Sequence, residues 1–380
     1  MKLCKTMMWL QRLLILLTTY TFRPSTCLDY PTLEQAIECF DAYTVSQGRY
    51  NRSSYSSAQP TPAQRTAWQH TISSLLDVDN DKECLSLALA LPAPLANIYH
   101  ISLFTEPSTR ASFCILSEHT NNTQYAKGWG LFAVPATTTA ARHIHISAPH
   151  PAHDLHTPVQ AAALFKSTGA KSLLIPGRSR AALEVPTDCV APYHVTDPVH
   201  NNLEPFFDAT LAIYTWQLAL PRGCPASSCA FIQFHGKGPH TCPSDHIFLS
   251  AGLGTDPASL AWYTSPTPRP IKRLHHQLQR AFPGWTVSLP SLSPSPSLSP
   301  DQAPACPLLA TKNVPGRLLN GVPPAHVCST PAPAPANDSR AGGFFVHVEQ
   351  AAVARSPRAY AAWGRALKAA FEEVGEGGKG

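Results

Sequence analysis

Residues 143–157 read HIHISAPHPAHDLHT, and this stretch decides the fold that we expect for the whole chain. Its first half alternates ring and branched side chains as a buried strand does. Pro149 and Pro151 then end the strand, because proline donates no hydrogen bond to a neighbouring strand. His150 therefore stands where a strand gives way to a loop. In an open α/β sheet, ligands bind beyond the carboxyl ends of the strands, so this loop is a candidate site.

The same loop places several histidines close to a carboxylate. They are His150, His153 and His156, with Asp154 as the acid. Neutral imidazole nitrogen and anionic carboxylate oxygen are ligands that zinc takes at about 2.0–2.2 Å. The chain contains 17 histidines, however, so chance explains part of this clustering. The spacing also matches no fixed metal-binding motif, and both a metal site and a structural role stay open at this point.

The chain on both sides of this stretch alternates between strand and helix patterns. Short apolar runs predict further strands over residues 96–103, 112–116, 128–134, 172–175, 229–234, 246–250 and 343–348. Helical spacing of apolar residues predicts helices over residues 159–167, 206–219, 274–282 and 357–371. A strand, a helix and a second strand within residues 143–175 form a βαβ unit, whose strands run parallel. We therefore predict the α/β class, with a mainly parallel or mixed sheet and helices on both faces.

The rest of the chain divides by composition. We predict a signal peptide over residues 1–27, a helical preface or pro-like segment over 28–92, an α/β hydrolase-like domain over 93–375 and a disordered tail over 376–380. The preface carries helix patterns that begin after Thr32 and over residues 65–76, with a polar loop over 46–62. Within the domain, proline-rich residues 288–304 and 331–341 predict extended, mobile loops.

The first residues favour export from the cell. Lys2, Lys5 and Arg12 surround an apolar run at residues 13–17, and small residues at 25–27 supply a cleavage site. An uncleaved anchor is the alternative, but the apolar run falls short of the ~20 residues that a membrane span needs. We therefore predict a secreted, extracellular protein with no membrane span after signal cleavage. Its 38 prolines and its charged fraction of only 14% fit a loop-rich secreted protein.

Cysteine usage favours the same compartment. Removal of Cys4 and Cys27 with the signal peptide leaves nine of the 11 cysteines, and we expect most of them to form disulfides, with at least one free or bonded elsewhere. Three glycosylation sequons, at Asn51, Asn121 and Asn337, predict a glycoprotein. The formal charge of +5 is spread without basic runs, so we expect no nucleic-acid partner.

Chemically active side chains follow four of the predicted strands. They are His150 with Asp154, Arg178 with Arg180, His235, and Glu349. Parallel strands have their carboxyl ends at one edge of a sheet. We therefore expect these residues to form a single site, with a metal ion, a general base and arginines that bind an anion. Structural alternatives exist: a strand-end histidine often packs in the core, and Glu349 could form a salt bridge to Arg355. The motif at residues 313–321 adds Arg317 and Asn320 as candidate substrate-binding residues.

Three groups of candidate site residues follow one another along the chain. Residues 150–154 read HPAHD, a later strand ends in His235, and the last strand ends in Glu349 with Arg355 six residues later. This order resembles the zinc carboxypeptidase-like fold and, within it, the N-formylglutamate amidohydrolase and poly-γ-glutamate hydrolase types. The resemblance covers roughly residues 128–373.

The resemblance implies a zinc ion held by His150 and His235, with Asp154 as the carboxylate ligand. The family's first ligand pair is usually His-x-x-Glu, whereas the acid here is aspartate and lies one position further on. His153 occupies the matching position and is therefore the alternative second ligand.

The resemblance further implies that Glu349 activates a metal-bound water and that Arg178 or Arg180 holds a carboxylate of a small-molecule or peptide substrate. We therefore expect a secreted zinc-dependent hydrolase that cleaves an amide or peptide bond next to a carboxylate. The alternative is a secreted, disulfide-stabilised binding protein that has the same fold but no catalysis. A metal-free esterase is disfavoured, because the chain lacks a Gly-x-Ser-x-Gly motif.

Overall fold

A computed structural model of the chain describes residues 26–120, 123–136, 142–290, 306–332 and 343–373. The predicted tail and nearly all of the predicted signal peptide lie outside the described residues, as do most of the two proline-rich segments. The sequons at Asn121 and Asn337 also lie outside them. Those assignments stay predictions.

Nine strands form one sheet within the described residues. In chain order they are β1 (Tyr99–Thr105), β2 (Ser112–Glu118), β3 (Leu131–Pro135), β4 (Arg142–Ser147), β5 (Ala170–Ile175), β6 (Cys229–Gly236), β7 (Ile247–Ser250), β8 (Val287–Ser288) and β9 (Phe345–Gln350). Across the sheet the order is β1-β2-β3-β5-β4-β6-β9-β7-β8. The central strands β5, β4, β6 and β9 run parallel, whereas β1, β2, β3 and β5 pair antiparallel in turn and β7 pairs antiparallel with β9. The predicted α/β class with a mixed sheet is confirmed.

The helices of the described chain connect and cover these strands. In chain order they are α1 (Leu33–Asp41), α2 (Arg52–Ala58), α3 (Pro62–Leu76), α4 (Asp81–Leu89), α5 (Ala93–Ala96), α6 (Thr157–Thr168), α7 (Pro205–Ala219), α8 (Pro257–Thr264), α9 (Pro270–Ala281), α10 (Val314–Leu319) and α11 (Pro357–Ala370). Among them, none combines the length and the apolar character that a membrane crossing requires.

Helices lie on both faces of the sheet because its central strands are apolar on both sides. On one face, Ile146 of β4 belongs to a core that includes Phe165 of α6 and Trp363 of α11. On the other face, Trp68 of α3 and Phe206 of α7 form a second core with strand residues. The connection from β4 through α6 to β5 is the predicted βαβ unit, with β4 and β5 parallel.

The predicted N-terminal preface packs on the sheet. Phe40 of α1 is buried in the same core as β4. Cys84 of α4 forms a disulfide with Cys114 of β2. These contacts tie the segment to the main core through both apolar packing and a covalent bond.

The loop predicted over residues 46–62 is in part a helix, α2, so that prediction is wrong for residues 52–58. Asn51 caps the helix by accepting a hydrogen bond from the backbone N–H of Ser54 at 2.9 Å. Tyr55 then donates from its hydroxyl to the carboxylate of Glu204 at 2.9 Å. A contact with a residue so distant in sequence is invisible to local patterns.

Five disulfides join cysteines of the described residues. The pairs are Cys27–Cys39, Cys84–Cys114, Cys189–Cys328, Cys224–Cys229 and Cys242–Cys306. The expectation of disulfides is confirmed. The signal peptide predicted over residues 1–27 stays a prediction, and its last residue, Cys27, takes part in one of these bonds. Cys27 is buried and bonded to Cys39. All ten cysteines of the described residues are therefore paired.

Candidate metal centre

Parallel strands bring distant residues together at one edge of the sheet. In the pairing of β6 with β9, His235 stands directly opposite Glu349. In the pairing of β4 with β6, Ser147 stands opposite Gln233. The residues that follow β4 therefore lie beside the ends of β6 and β9, as the sequence predicts.

A tight turn after β4 folds Asp154 back onto His150. The backbone N–H of Asp154 donates to the carbonyl oxygen of His150 at 2.9 Å, and Ala152 within the turn adopts a positive φ of 59°. The hydroxyl of Thr157, where α6 begins, donates to the carbonyl oxygen of Asp154 at 2.7 Å. Both ends of the turn are thus fixed by hydrogen bonds.

His150, Asp154 and His235 converge in the protein interior, where all three are buried. The Nδ1 atom of His150 lies 3.1 Å from Oδ2 of Asp154 and 3.2 Å from Nδ1 of His235. The third side of the triangle, from Nδ1 of His235 to Oδ2 of Asp154, is 3.4 Å.

These separations fit one face of a tetrahedral zinc site. Zinc bonds of about 2.0–2.1 Å in tetrahedral geometry place neighbouring ligand atoms roughly 3.3 Å apart. The two Nδ1 atoms also face each other, so at most one of them can donate a proton along that line. A metal ion accepts lone pairs from all three atoms at once. The residues present therefore fit a metal of this type.

The outer nitrogen of each histidine meets an oxygen acceptor. Nε2 of His150 lies 3.3 Å from Oδ1 of Asp197, and Nε2 of His235 lies 3.4 Å from Oε1 of Gln233. Gln233 is itself held by the side-chain N–H of Asn313 at 2.8 Å. Metal-binding histidines almost always donate their second N–H to a carboxylate, carbonyl or water, which fixes the ring and its tautomer.

Burial and neighbouring charges shift the pKa values of these three groups in different directions. Burial by itself would lower the pKa of His150, but the charges of Asp154 and Asp197 outweigh it and raise that pKa to about 9. Burial, with the charge of His150, lowers the pKa of His235 to about 4. Burial by itself would raise the pKa of Asp154, but His150 holds it well below its usual range. Near neutral pH the metal-free cluster thus contains a carboxylate, a neutral imidazole at His235 and a protonated His150, which must release its proton when a metal binds.

Glu349 lies next to this cluster. Burial, followed by the charge of Asp154, raises the pKa of its carboxyl group to about 8. Its Oε1 atom lies 3.5 Å from Nε2 of His347, whose pKa burial holds well below its usual range, so this contact is to a neutral ring. Among the described residues, Glu349 and Arg355 form no salt bridge. His235, His347 and Glu349 form a second group of possible ligands, which shares His235 with the first.

A cleft of about 410 Å³ opens from Asp154 and Glu349 to the surface. Its walls include three cations, which are Arg180, Lys237 and Arg355, and also His153. His153 is exposed at this wall and does not join the buried cluster. Of the two alternatives for the second ligand, the fold brings Asp154 to His150 and His235.

No family model matches the chain. No curated protein matches it either. Among solved structures, one that it resembles is described as "Crystal structure of metallo-carboxypeptidase from Burkholderia cenocepacia". That match has 12% sequence identity and a TM-score of 0.32, and it covers 77% of this chain and 68% of the other. A likeness this distant carries no argument about activity, so the interpretation of the site rests on its geometry.

The two candidate arginines after β5 lie in different surroundings. Arg180 lines the cleft. Arg178 is fully buried, where its Nε donates to the carbonyl oxygen of Gly128 at 3.0 Å and lies 3.3 Å from the carboxylate of Glu204. Tyr50 flanks its guanidinium at 5.8 Å. Of these two arginines, Arg180 lines the cleft and Arg178 does not.

Arg317 and Asn320 are held by backbone groups. The guanidinium of Arg317 donates to the carbonyl oxygens of Thr311 at 3.0 Å and Val327 at 2.8 Å. The amide of Asn320 donates to the carbonyl oxygen of Ala251 at 2.7 Å. In the same motif it is Asn313, through Gln233, that reaches the candidate ligands.

Proposed function

We propose that this protein is a secreted zinc-dependent hydrolase that cleaves an amide or peptide bond next to a carboxylate. The observation that carries the proposal is the buried triangle of His150, Asp154 and His235, with sides of 3.1, 3.2 and 3.4 Å. Two imidazoles and one carboxylate form the ligand set of hydrolytic zinc sites, which leave a fourth position open.

Zinc held by these residues would supply a Lewis acid, which polarises a substrate carbonyl and makes water easier to deprotonate. The chain's own residues supply proton transfer and substrate binding. Glu349 borders the cleft beside the ligands, and its pKa of about 8 suits a group that takes a proton from water and returns it to the leaving nitrogen near neutral pH. Arg180 offers a planar guanidinium that pairs with a carboxylate through two hydrogen bonds.

Secretion is supported by covalent chemistry. Five disulfides within the described residues would be hard to maintain in a reducing cytosol, whereas they are usual in exported proteins. The apolar run at residues 13–17 behind basic residues is typical of a signal peptide.

The test is to measure bound metal and hydrolysis in the native protein and in Glu349→Gln. N-acyl amino acids and short peptides serve as substrates. Because the amide keeps the size of the side chain but accepts no proton, we expect kcat to fall by ~10²–10⁴-fold while bound zinc is unchanged. Glu184→Gln, at an exposed position outside the cleft, is the matched control and should retain full activity.

Three results would count against the proposal. Native protein without bound metal removes the zinc site. Full activity in Glu349→Gln, with a substrate that the native protein cleaves, removes the assigned base. Stoichiometric zinc with no hydrolysis of any substrate favours the alternative of a non-catalytic binding protein.

A further inference from the structure

Two buried cations line the cleft without a salt bridge to any described residue, although the charges of Asp245 and Glu349 act on Lys237 and those of Asp154 and Glu349 act on Arg355. Lys237 is 7% exposed and Arg355 is 8% exposed, although both border the cleft. Neither forms an ion pair with any residue that the structure describes. Burying a charge is costly unless an opposite charge compensates it. Two neighbouring buried cations therefore indicate a place where an anion binds.

Backbone carbonyl groups hold the ammonium group of Lys237. Its Nζ donates to the carbonyl oxygen of Thr241 at 3.0 Å and to that of Cys242 at 2.9 Å. Carbonyl groups are neutral, so they orient the ammonium group without cancelling its charge. An ammonium group has three N–H donors, which leaves one for a ligand.

The guanidinium of Arg355 lies against Gly236, the residue before Lys237. A Cβ atom at Gly236 would overlap this guanidinium, so the close approach requires glycine. Nη1 of Arg355 donates to the carbonyl oxygen of Leu155 at 2.7 Å, and its buried Nε has no hydrogen-bond partner among the described residues. The side chain is thus held beside Lys237 with donors to spare.

Arg180 and Arg355 line the same cleft but reach it from different strands. Arg180 follows β5, and Arg355 follows β9. Between these strands lie β4 and β6, whose ends supply His150 and His235. Neighbouring strands are about 4.8 Å apart, so three strand spacings separate β5 from β9 by roughly 14 Å. Because the two arginines come from separate strands, each can hold a different anionic group of one substrate.

We propose that Lys237 and Arg355 form a second anion-binding subsite, in addition to Arg180, which takes a second carboxylate of the substrate. The substrate then carries two anionic groups. An acidic peptide has this character, as does an amino acid whose N-acyl group ends in a carboxylate. This inference rests on the proposed function, because it names the substrate class of the same site.

Matched substrates test the subsite. N-glutaryl-alanine and N-pentanoyl-alanine have acyl chains of equal length, and only the first carries a second carboxylate. We expect a kcat/KM about ten- to hundredfold higher for the glutaryl compound, because charge-assisted hydrogen bonds are the strong ones. This preference should fall about tenfold in Lys237→Met and in Arg355→Gln, and it should vanish in the double variant. Arg280→Gln, which removes an exposed arginine of α9, should keep it.

Binding without turnover separates this inference from the proposed function. Calorimetry on the protein as purified compares glutarate with pentanoate, and we expect glutarate to bind at least tenfold more tightly, with the difference lost in the double variant. Equal affinities overturn the inference even for a protein that hydrolyses amides. An equal loss of kcat/KM for both substrates in the variants overturns it as well. A glutarate preference that requires Lys237, in a protein with neither zinc nor turnover, supports the subsite and overturns the proposed function.

Discussion

Two buried histidines of the same segment, His145 inside β4 and His150 just beyond its end, have opposite surroundings. Nδ1 of His145 lies 2.8 Å from the hydroxyl of Ser172, and its Nε2 lies 3.0 Å from the side-chain oxygen of Gln217. Burial lowers the pKa of His145 to about 3. His150 is buried to the same degree, yet two carboxylates raise its pKa to about 9.

The difference shows that burial alone does not mark a functional histidine. Both nitrogens of His145 are satisfied by neutral groups, so the ring is complete as a core residue. The inner nitrogen of His150 faces another imidazole and a carboxylate at distances that suit a shared metal ion. The decisive property is convergence of donor atoms from different strands.

The largest effect should come from removing a ligand. We expect His150→Ala and His235→Ala each to weaken zinc binding by more than ~10³-fold, because two remaining protein ligands are too few to hold the ion against solvent. His145→Ala is the matched control, and it should keep zinc while losing about 2–4 kcal/mol of unfolding free energy through a cavity and unpaired polar groups. Metal analysis and denaturant titration measure both. Full zinc occupancy in both ligand variants would show that His150 is not a metal ligand and is structural like His145.

A smaller effect should follow from the partner of each ring. Asp197→Asn keeps the shape of the side chain but weakens its acceptance of the N–H of His150, and such changes usually cost about 10–100-fold in metal affinity. Gln217→Leu removes the corresponding partner of His145 and should leave zinc affinity unchanged. Competition with a chromogenic chelator measures both constants. An unchanged affinity in Asp197→Asn would mean that Asp197 only fills space.

The smallest effect concerns the stability of protein from which metal has been removed. The two histidines should make its free energy of unfolding depend on pH in opposite directions. The pKa of His145 falls from 6.5 to about 3 on folding, so its contribution to stability is present above pH 6.5 and is lost as the pH falls through that interval. The pKa of His150 rises from 6.5 to about 9, so its contribution is present below pH 6.5 and is lost as the pH rises. Each slope is at most about 1.4 kcal/mol per pH unit.

Chemical unfolding across pH 3 to 9 checks these slopes in the native protein and in two variants. His145→Gln should flatten the acid side only, and His150→Gln the alkaline side only. Variants that change the same side of the curve would contradict the assigned environments.

The central sheet could be predicted from the sequence because strand signals are local. Alternation of apolar residues, followed by proline or glycine, located β4 and β6 and placed His150 and His235 at one edge. The order β5-β4-β6-β9 then brings their ends together, as the βαβ pattern suggests. The closeness of Asp154 to His150 was foreseeable because the two lie within the same short turn.

What could not be predicted depends on long-range packing. Asp197 is 47 positions from His150, in a segment with no regular pattern, and only the folded chain brings their side chains together. Arg178 and Arg180 look equivalent after β5, yet the course of the loop buries one and exposes the other to the cleft. Loop direction has no signature in composition or spacing.

Gly236 has no functional group, yet the space it leaves lets Arg355 reach the cleft wall. Any missense change in its codon adds a side chain at a point where the guanidinium already lies. Because the guanidinium is the far end of a flexible side chain, it can move aside, so we expect replacements of Gly236 to fold but to displace Arg355 from the cleft wall. In a saturation mutagenesis experiment, changes at Gly236 should therefore alter substrate preference in the same way as Arg355→Gln.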